Sequence, residues 1–131
     1  MAKGPVVRDL TRTFKALTEK PRLEILALMF RHGALCGCEV ERFLGLSQSA
    51  ASRHLRTLRE AGLVEDRRDG QWVFYGPPAS PDPFAVALLG LLRGWLAEMR
   101  LPEIGPELVS IRGSRREATP EPAPSGAEGS R

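Results

Sequence analysis

A mainly α-helical fold carrying one β-hairpin is predicted by three features of the chain. Apolar residues recur every three or four positions up to Gly62. The spacing then shortens to two around Asp69-Gly70. Helical spacing returns over residues 83–99, now with more apolar surface than one face can hold.

The elements follow in order. Val7, Leu10, Phe14 and Leu17 form one stripe and predict a helix over 6–17. Thr18 is the expected N-cap of a second helix, with Pro21 in its first turn, where a missing N–H costs nothing. Leu23, Ile25, Leu26, Leu28, Met29 and Phe30 make that helix apolar around much of its girth, as a central core helix would be, and Gly33 is its expected C-cap. A short third helix is predicted over 38–44, with Val40, Phe43 and Leu44 inward and Gly45 as its stop. Ser47 opens a fourth, whose hydroxyl can accept from a backbone N–H of the first turn. Its buried stripe is Ala51, Leu55, Leu58 and Gly62. Asp69-Gly70 between β-prone runs predicts a hairpin that ends at Gly76-Pro77-Pro78.

Two helices joined by a Gly45-Leu46 turn form a helix-turn-helix, and a hairpin after it completes a winged helix. In the last helix, Phe84, Ala87, Leu88, Leu91, Leu92, Trp95, Leu96 and Met99 need a second surface to cover them. A homodimer is therefore expected, joined through Val7, Leu10 and Phe14 with Leu91, Trp95 and Leu96. The DNA-binding and dimerisation domain is assigned to 1–101, and a Pro/Glu/Ser/Gly-rich tail, expected to be disordered, to 102–131.

Composition narrows the function. Hydrophobic residues make up 42% of the 131, which excludes a fully disordered chain. The longest apolar run, 84–92, falls far short of the roughly 20 residues of a membrane span. Met1-Ala2-Lys3-Gly4-Pro5 leads into charged sequence without an apolar signal core, so a cytoplasmic location and no membrane partner are expected. The net charge of +3 is uneven: residues 1–76 carry thirteen basic against nine acidic side chains. That excess lies where a nucleic acid would be read. On the fourth helix, Ser49, Arg53, Arg56 and Glu60 oppose the buried stripe, with Ser52 beside them and Ser47 and Gln48 at the N-terminal end. Arg suits guanine, Gln suits adenine, and Ser suits phosphate or a purine edge. His54 leans toward the buried flank, as a packed histidine or a phosphate contact. Arg67, Arg68 and Gln71 flank the hairpin tip and can track phosphates or the minor groove, with Glu65, Asp66 and Asp69 diluting their charge. The expected partner is a pseudo-palindromic double-stranded operator.

The two cysteines, Cys36 and Cys38, are too close for an unstrained bridge, so reduced thiols are expected. Soft thiolates bind soft ions, trivalent arsenic and antimony among them, with Cu(I), Cd(II), Pb(II) and Zn(II) as competitors. On a regular helix, residues two apart point about 200° apart and cannot clasp one ion. They can if Cys36-Gly37 stays outside the helix or the first turn unwinds.

Residues 35–78, LCGCEVERFLGLSQSAASRHLRTLREAGLVEDRRDGQWVFYGPP, resemble the arsenic-responsive repressor family (ArsR/SmtB type). Phe14-Lys15-Ala16-Leu17 and Pro21-Arg22-Leu23-Glu24-Ile25-Leu26 extend the resemblance to about residues 10–78. Its most specific parts are Ser-Gln-Ser-x-x-Ser-x-His-Leu-x-x-Leu at 47–58, Glu60-Ala61-Gly62-Leu63-Val64, and the Cys-x-Cys. The resemblance implies a repressor released from its operator when trivalent arsenic or antimony binds Cys36 and Cys38, with no cofactor required for folding. Many such relatives carry a third cysteine where this chain has Glu41, so the third ligand would be water, hydroxide or an external thiol. Relatives that bind zinc on the last helix use His and carboxylates, whereas residues 83–99 hold Glu98 and no His, which implies no zinc site there. Two alternatives share the thiols: a redox switch on the same winged helix, and a thiol oxidoreductase or metal-trafficking protein. No triad, paired-carboxylate or phosphate-loop signature supports an enzyme.

Overall fold

The computed structural model describes residues 5–79 and 81–101, with side chains from residue 10 onward. Its elements run α1 (Pro5–Ala16), α2 (Lys20–His32), β1 (Leu35–Cys36), α3 (Gly37–Leu44), α4 (Gln48–Glu60), β2 (Glu65–Asp69), β3 (Trp72–Gly76) and α5 (Pro83–Leu96). The fold is the expected helical one with a small antiparallel sheet.

Helix α2 is the centre. Its residues Ile25, Leu26, Ala27, Leu28 and Met29 are consecutively buried, which requires neighbours on every side. Those neighbours are α3, α4 and α5. Leu35, Val40, Leu55, Leu58 and Leu63 complete the core. Each such buried aliphatic side chain contributes about 1.5–3 kcal/mol relative to exposure.

Several details differ from expectation. Thr18 does not cap α2: its hydroxyl donates to the Lys15 carbonyl at 2.7 Å and so closes α1. Glu19 takes the N-cap position in extended geometry, leaving its carboxylate for other partners. Strand β1 was not anticipated. Its two residues pair with β3, Leu35 opposite Tyr75 and Cys36 opposite Phe74, in a sheet ordered β1-β3-β2. The close approach uses Gly76, where a Cβ would stand 3.2 Å from the Cβ of Ala34. Asp69 pairs with Trp72, so the hairpin turn is Gly70-Gln71, one residue later than read, with Gly70 at φ 66°.

Helix α5 starts where the Asp82 carboxylate accepts from the Ala85 N–H at 2.7 Å. It stops at Leu96 rather than Met99. Arg31, in the last turn of α2, donates to the Leu96 and Ala97 carbonyls at 3.2 and 3.1 Å and to that of Met99, satisfying the end of the helix. The assigned tail, 102–131, lies outside the described residues.

Candidate nucleic-acid interface and thiol pair

Helix α4 is set by its start. Gly45 adopts the left-handed conformation, φ 65° and ψ 37°, which turns the chain out of α3. Ser47 then accepts from the Ala50 N–H at 3.1 Å, as expected of the N-cap. Ala51, Leu55 and Leu58 face the core. Ser47, Gln48, Ser49, Ser52, Arg53 and Arg56 are exposed together on the opposite side.

His54 does not join them. It is 3% exposed, and its Nδ1 accepts from an Arg22 N–H at 3.0 Å. Arginine has only donors, so the imidazole proton sits on Nε2. Burial, then the charges of Arg53 and Arg22, push His54 below its usual value against the opposing pull of Glu19. His54 is thus a packed residue beneath the exposed serine and arginine face, because Arg22 of α2 covers that edge of α4.

The wing carries Arg67, Arg68 and Gln71, all exposed. Strand alternation sends Arg67 and Arg68 to opposite faces of the hairpin. The acidic residues beside them are partly engaged: Glu65 accepts from the Ala79 N–H at 2.8 Å, and Asp66 pairs with Arg59 at 3.2 Å. The second contact ties the wing to α4, an exposed pair worth about 0–1 kcal/mol.

Cys36 ends β1 and is also the N-cap of α3, in extended geometry, while Cys38 lies in the first turn. This puts Cys36 outside the helix and lets the two side chains converge. Their Cα atoms are 5.4 Å apart and their sulfurs are joined as a disulfide. The expectation of separate reduced thiols is corrected on this point, and the reason is the strand geometry of Cys36. The fully buried Glu39 accepts from the Cys36 N–H at 2.9 Å and fixes this start. Among the described residues no group of three or more His, Cys, Asp or Glu could hold a metal ion.

The apolar surface lies on α1 and α5. Phe14 is 49%, Leu91 60% and Trp95 76% exposed, and Val86, not singled out in the sequence, is 55% exposed. Phe14 meets Phe84 edge to face at 6.0 Å, which makes the two helices one surface. Leu10 is half-buried. Leu96 is corrected: at 8% exposure it belongs to the core of the single chain. The Val7 side chain lies outside the described residues.

Comparisons with known proteins agree with this geometry. Residues 19–66 match the family model described as "Bacterial regulatory protein, arsR family". The arsenic resistance transcriptional regulator ArsR1 of Pseudomonas putida is 43% identical over 98 residues, covering 70% of this chain and 77% of that protein. The arsenical resistance operon repressor of Escherichia coli is 47% identical over 62 residues, covering 47% of this chain and 53% of that protein. Among solved structures, a homodimeric winged helix-turn-helix DNA-binding domain from Mycobacterium bovis aligns with a TM-score of 0.59 at 28% identity, over 76% of this chain and 93% of that one. Reduced HlyU from Vibrio cholerae aligns with a TM-score of 0.58 at 32% identity, over 72% of this chain and 95% of that one. These likenesses cover the two-helix reader, the wing and the helices that support them, and they set aside the oxidoreductase alternative. The chain belongs to the ArsR family of bacterial regulatory proteins, which are DNA-binding transcriptional regulators and not enzymes.

Proposed function

We propose that this protein is a cytoplasmic homodimeric repressor that leaves a pseudo-palindromic operator when trivalent arsenic or antimony bridges Cys36 and Cys38. The observation that carries the reading is the convergence of the two sulfurs at the start of α3. With the bridge reduced, the two soft thiolates favour a soft ion. The position matters as much as the chemistry. Helix α3 packs on α4, and Cys36 also pairs with Phe74 in the strand that leads back from the wing. An ion held there strains the positioning helix and the wing together. With Glu41 in place of a third thiol, water, hydroxide or an external thiol completes the coordination. The names of the similar proteins from Pseudomonas putida and Escherichia coli support arsenic as the inducer. The exposed apolar face of α1 and α5 supports the dimer, as does the homodimeric neighbour. Val7, Leu10, Phe14, Leu91 and Trp95 stay in the proposed interface, joined by Val86.

A second reading is favoured by the sulfur–sulfur pairing itself. In it, peroxide oxidises the two thiols to a disulfide, taking two electrons and two protons and leaving two waters. Operator binding measured in buffer, arsenite, antimonite and peroxide separates the two. Release by arsenite or antimonite and not by peroxide supports the metalloid reading. Release by peroxide alone supports the redox one.

A further inference from the structure

We infer that Arg22 is a positioning residue for DNA reading, locking helix α4 to the end of α1 and so to the face through which two copies meet. The inference rests on α4 as the DNA-contacting helix.

Arg22 lies in the first turn of α2 and is 6% exposed. Its guanidinium reaches two other helices, α1 and α4. Nε donates to the Ala16 carbonyl at 2.7 Å and a terminal nitrogen to that of Lys15 at 3.4 Å. The other terminal nitrogen donates to His54 of α4 at 3.0 Å. The Glu19 carboxylate, 3.4 Å away, balances the charge. The last carbonyls of a helix have no partner within it. Here one planar fork satisfies the Ala16 carbonyl, adds a longer contact to that of Lys15, which Thr18 already serves, and still reaches α4. A lysine, a single point of charge, cannot span both.

A second attachment lies at the far end of α4. Thr13 donates to the Ala61 carbonyl and Arg12 to that of Glu60, both at 3.4 Å. From His54 to Glu60 is about 9 Å along a helix. Attached at two points that far apart, α4 is restrained from rolling or sliding on α1. His54 directly follows Arg53 and stands two before Arg56, so a roll at His54 would turn both arginines. Phe14, between Thr13 and Lys15 on α1, points instead to the exposed apolar face. The spacing of two reading helices across the dimer is therefore transmitted through α1, and the Arg22 fork is its joint.

Base contacts need that registration, whereas phosphate contacts tolerate its loss. The test uses a duplex of roughly 30 base pairs, long enough for two half-sites, selected by the wild-type protein from a random pool, and a scrambled duplex of the same composition. Arg22→Met keeps the stem and removes the fork. His54→Leu removes the acceptor, and His54→Asn restores one near the Nδ1 position. Arg22→Met and His54→Leu should bind the selected duplex roughly 3–30-fold more weakly. Affinity for the scrambled duplex, and the salt dependence of binding, should be unchanged. His54→Asn should recover most of the discrimination. Thermal melts and sedimentation establish that each variant is folded and dimeric; if Arg22→Met does not fold, the His54 pair decides. Undiminished discrimination in the folded variants overturns the inference, as does an equal loss on both duplexes. A wild-type protein that prefers no duplex over the scrambled one overturns the repressor reading along with it.

Discussion

Helices α4 and α5 are nearly equal in length, 13 and 14 residues, yet they finish their packing in different ways. Helix α4 buries Ala51, His54, Leu55 and Leu58 within the single chain and turns serines and arginines outward. Helix α5 buries only Ala85 and Leu96 and turns Val86, Leu91 and Trp95 outward. A polar exposed face is complete in water, and an apolar one of this size is complete only against a partner. On the proposed function, one helix reads and the other assembles. The thiol pair lies on neither; it starts the helix that leads into α4.

The sharpest way to break the contrast is to place a charge on the assembling face. Trp95→Asp should weaken the dimer by about 3–5 kcal/mol, since it leaves an unpaired charge in the interface. Sedimentation equilibrium reads this directly, and an unchanged dimer would remove α5 from the interface. Its neighbour should behave oppositely. Leu96→Ala should cost about 2–5 kcal/mol of chain stability through a core cavity, with dimer affinity among folded molecules unaltered. Chemical denaturation paired with sedimentation distinguishes the two residues.

On the reading helix the expected effects are smaller and confined to DNA. Arg53→Ala or Arg56→Ala should weaken operator binding by roughly 1–3 kcal/mol and relax preference at one base pair. Far-UV circular dichroism should not change, because both side chains are exposed. Wild-type affinity in either variant would remove that arginine from the reading set.

The smallest effect tests the hidden side of α4. The folded chain holds His54 below its ordinary 6.5, through burial and through Arg53 and Arg22, with Glu19 opposing. The unfolded chain therefore takes up this proton first as pH falls. Stability from His54 is complete above the unfolded value and declines as pH drops from there toward the folded one. The melting temperature should fall more steeply below pH 6.5 in the wild type than in His54→Asn. Parallel curves would show that His54 is not held neutral.

These contrasts also mark what was legible in the sequence. The two-helix reader was, because Gly45 and Ser47 encode its turn locally. The wing was, because Asp69-Gly70 separates two β-prone runs. Strand β1 was not, since two residues become a strand only by pairing with β3, some forty positions later. Trp95 and Leu96 could not be told apart because α5 is apolar on more than one face, and packing within the folded chain decides which one is buried. The burial of His54 depends on Arg22, 32 residues away. The convergence of Cys36 and Cys38 likewise follows from β1, which holds Cys36 in extended backbone.

The central claim is that metalloid binding at Cys36 and Cys38 releases DNA. Its most direct test is operator affinity with and without arsenite, under reducing conditions, for the wild type, Cys36→Ser and Cys38→Ser. Serine is itself a favoured N-cap, so Cys36→Ser should keep the start of α3 intact. Its hydroxyl binds trivalent arsenic far more weakly than a thiolate does. Arsenite should weaken wild-type binding at least tenfold, a coupling of about 1.4 kcal/mol. Both variants should bind DNA like the wild type and ignore arsenite. If either serine variant is still released like the wild type, the two-thiol site is not the sensor.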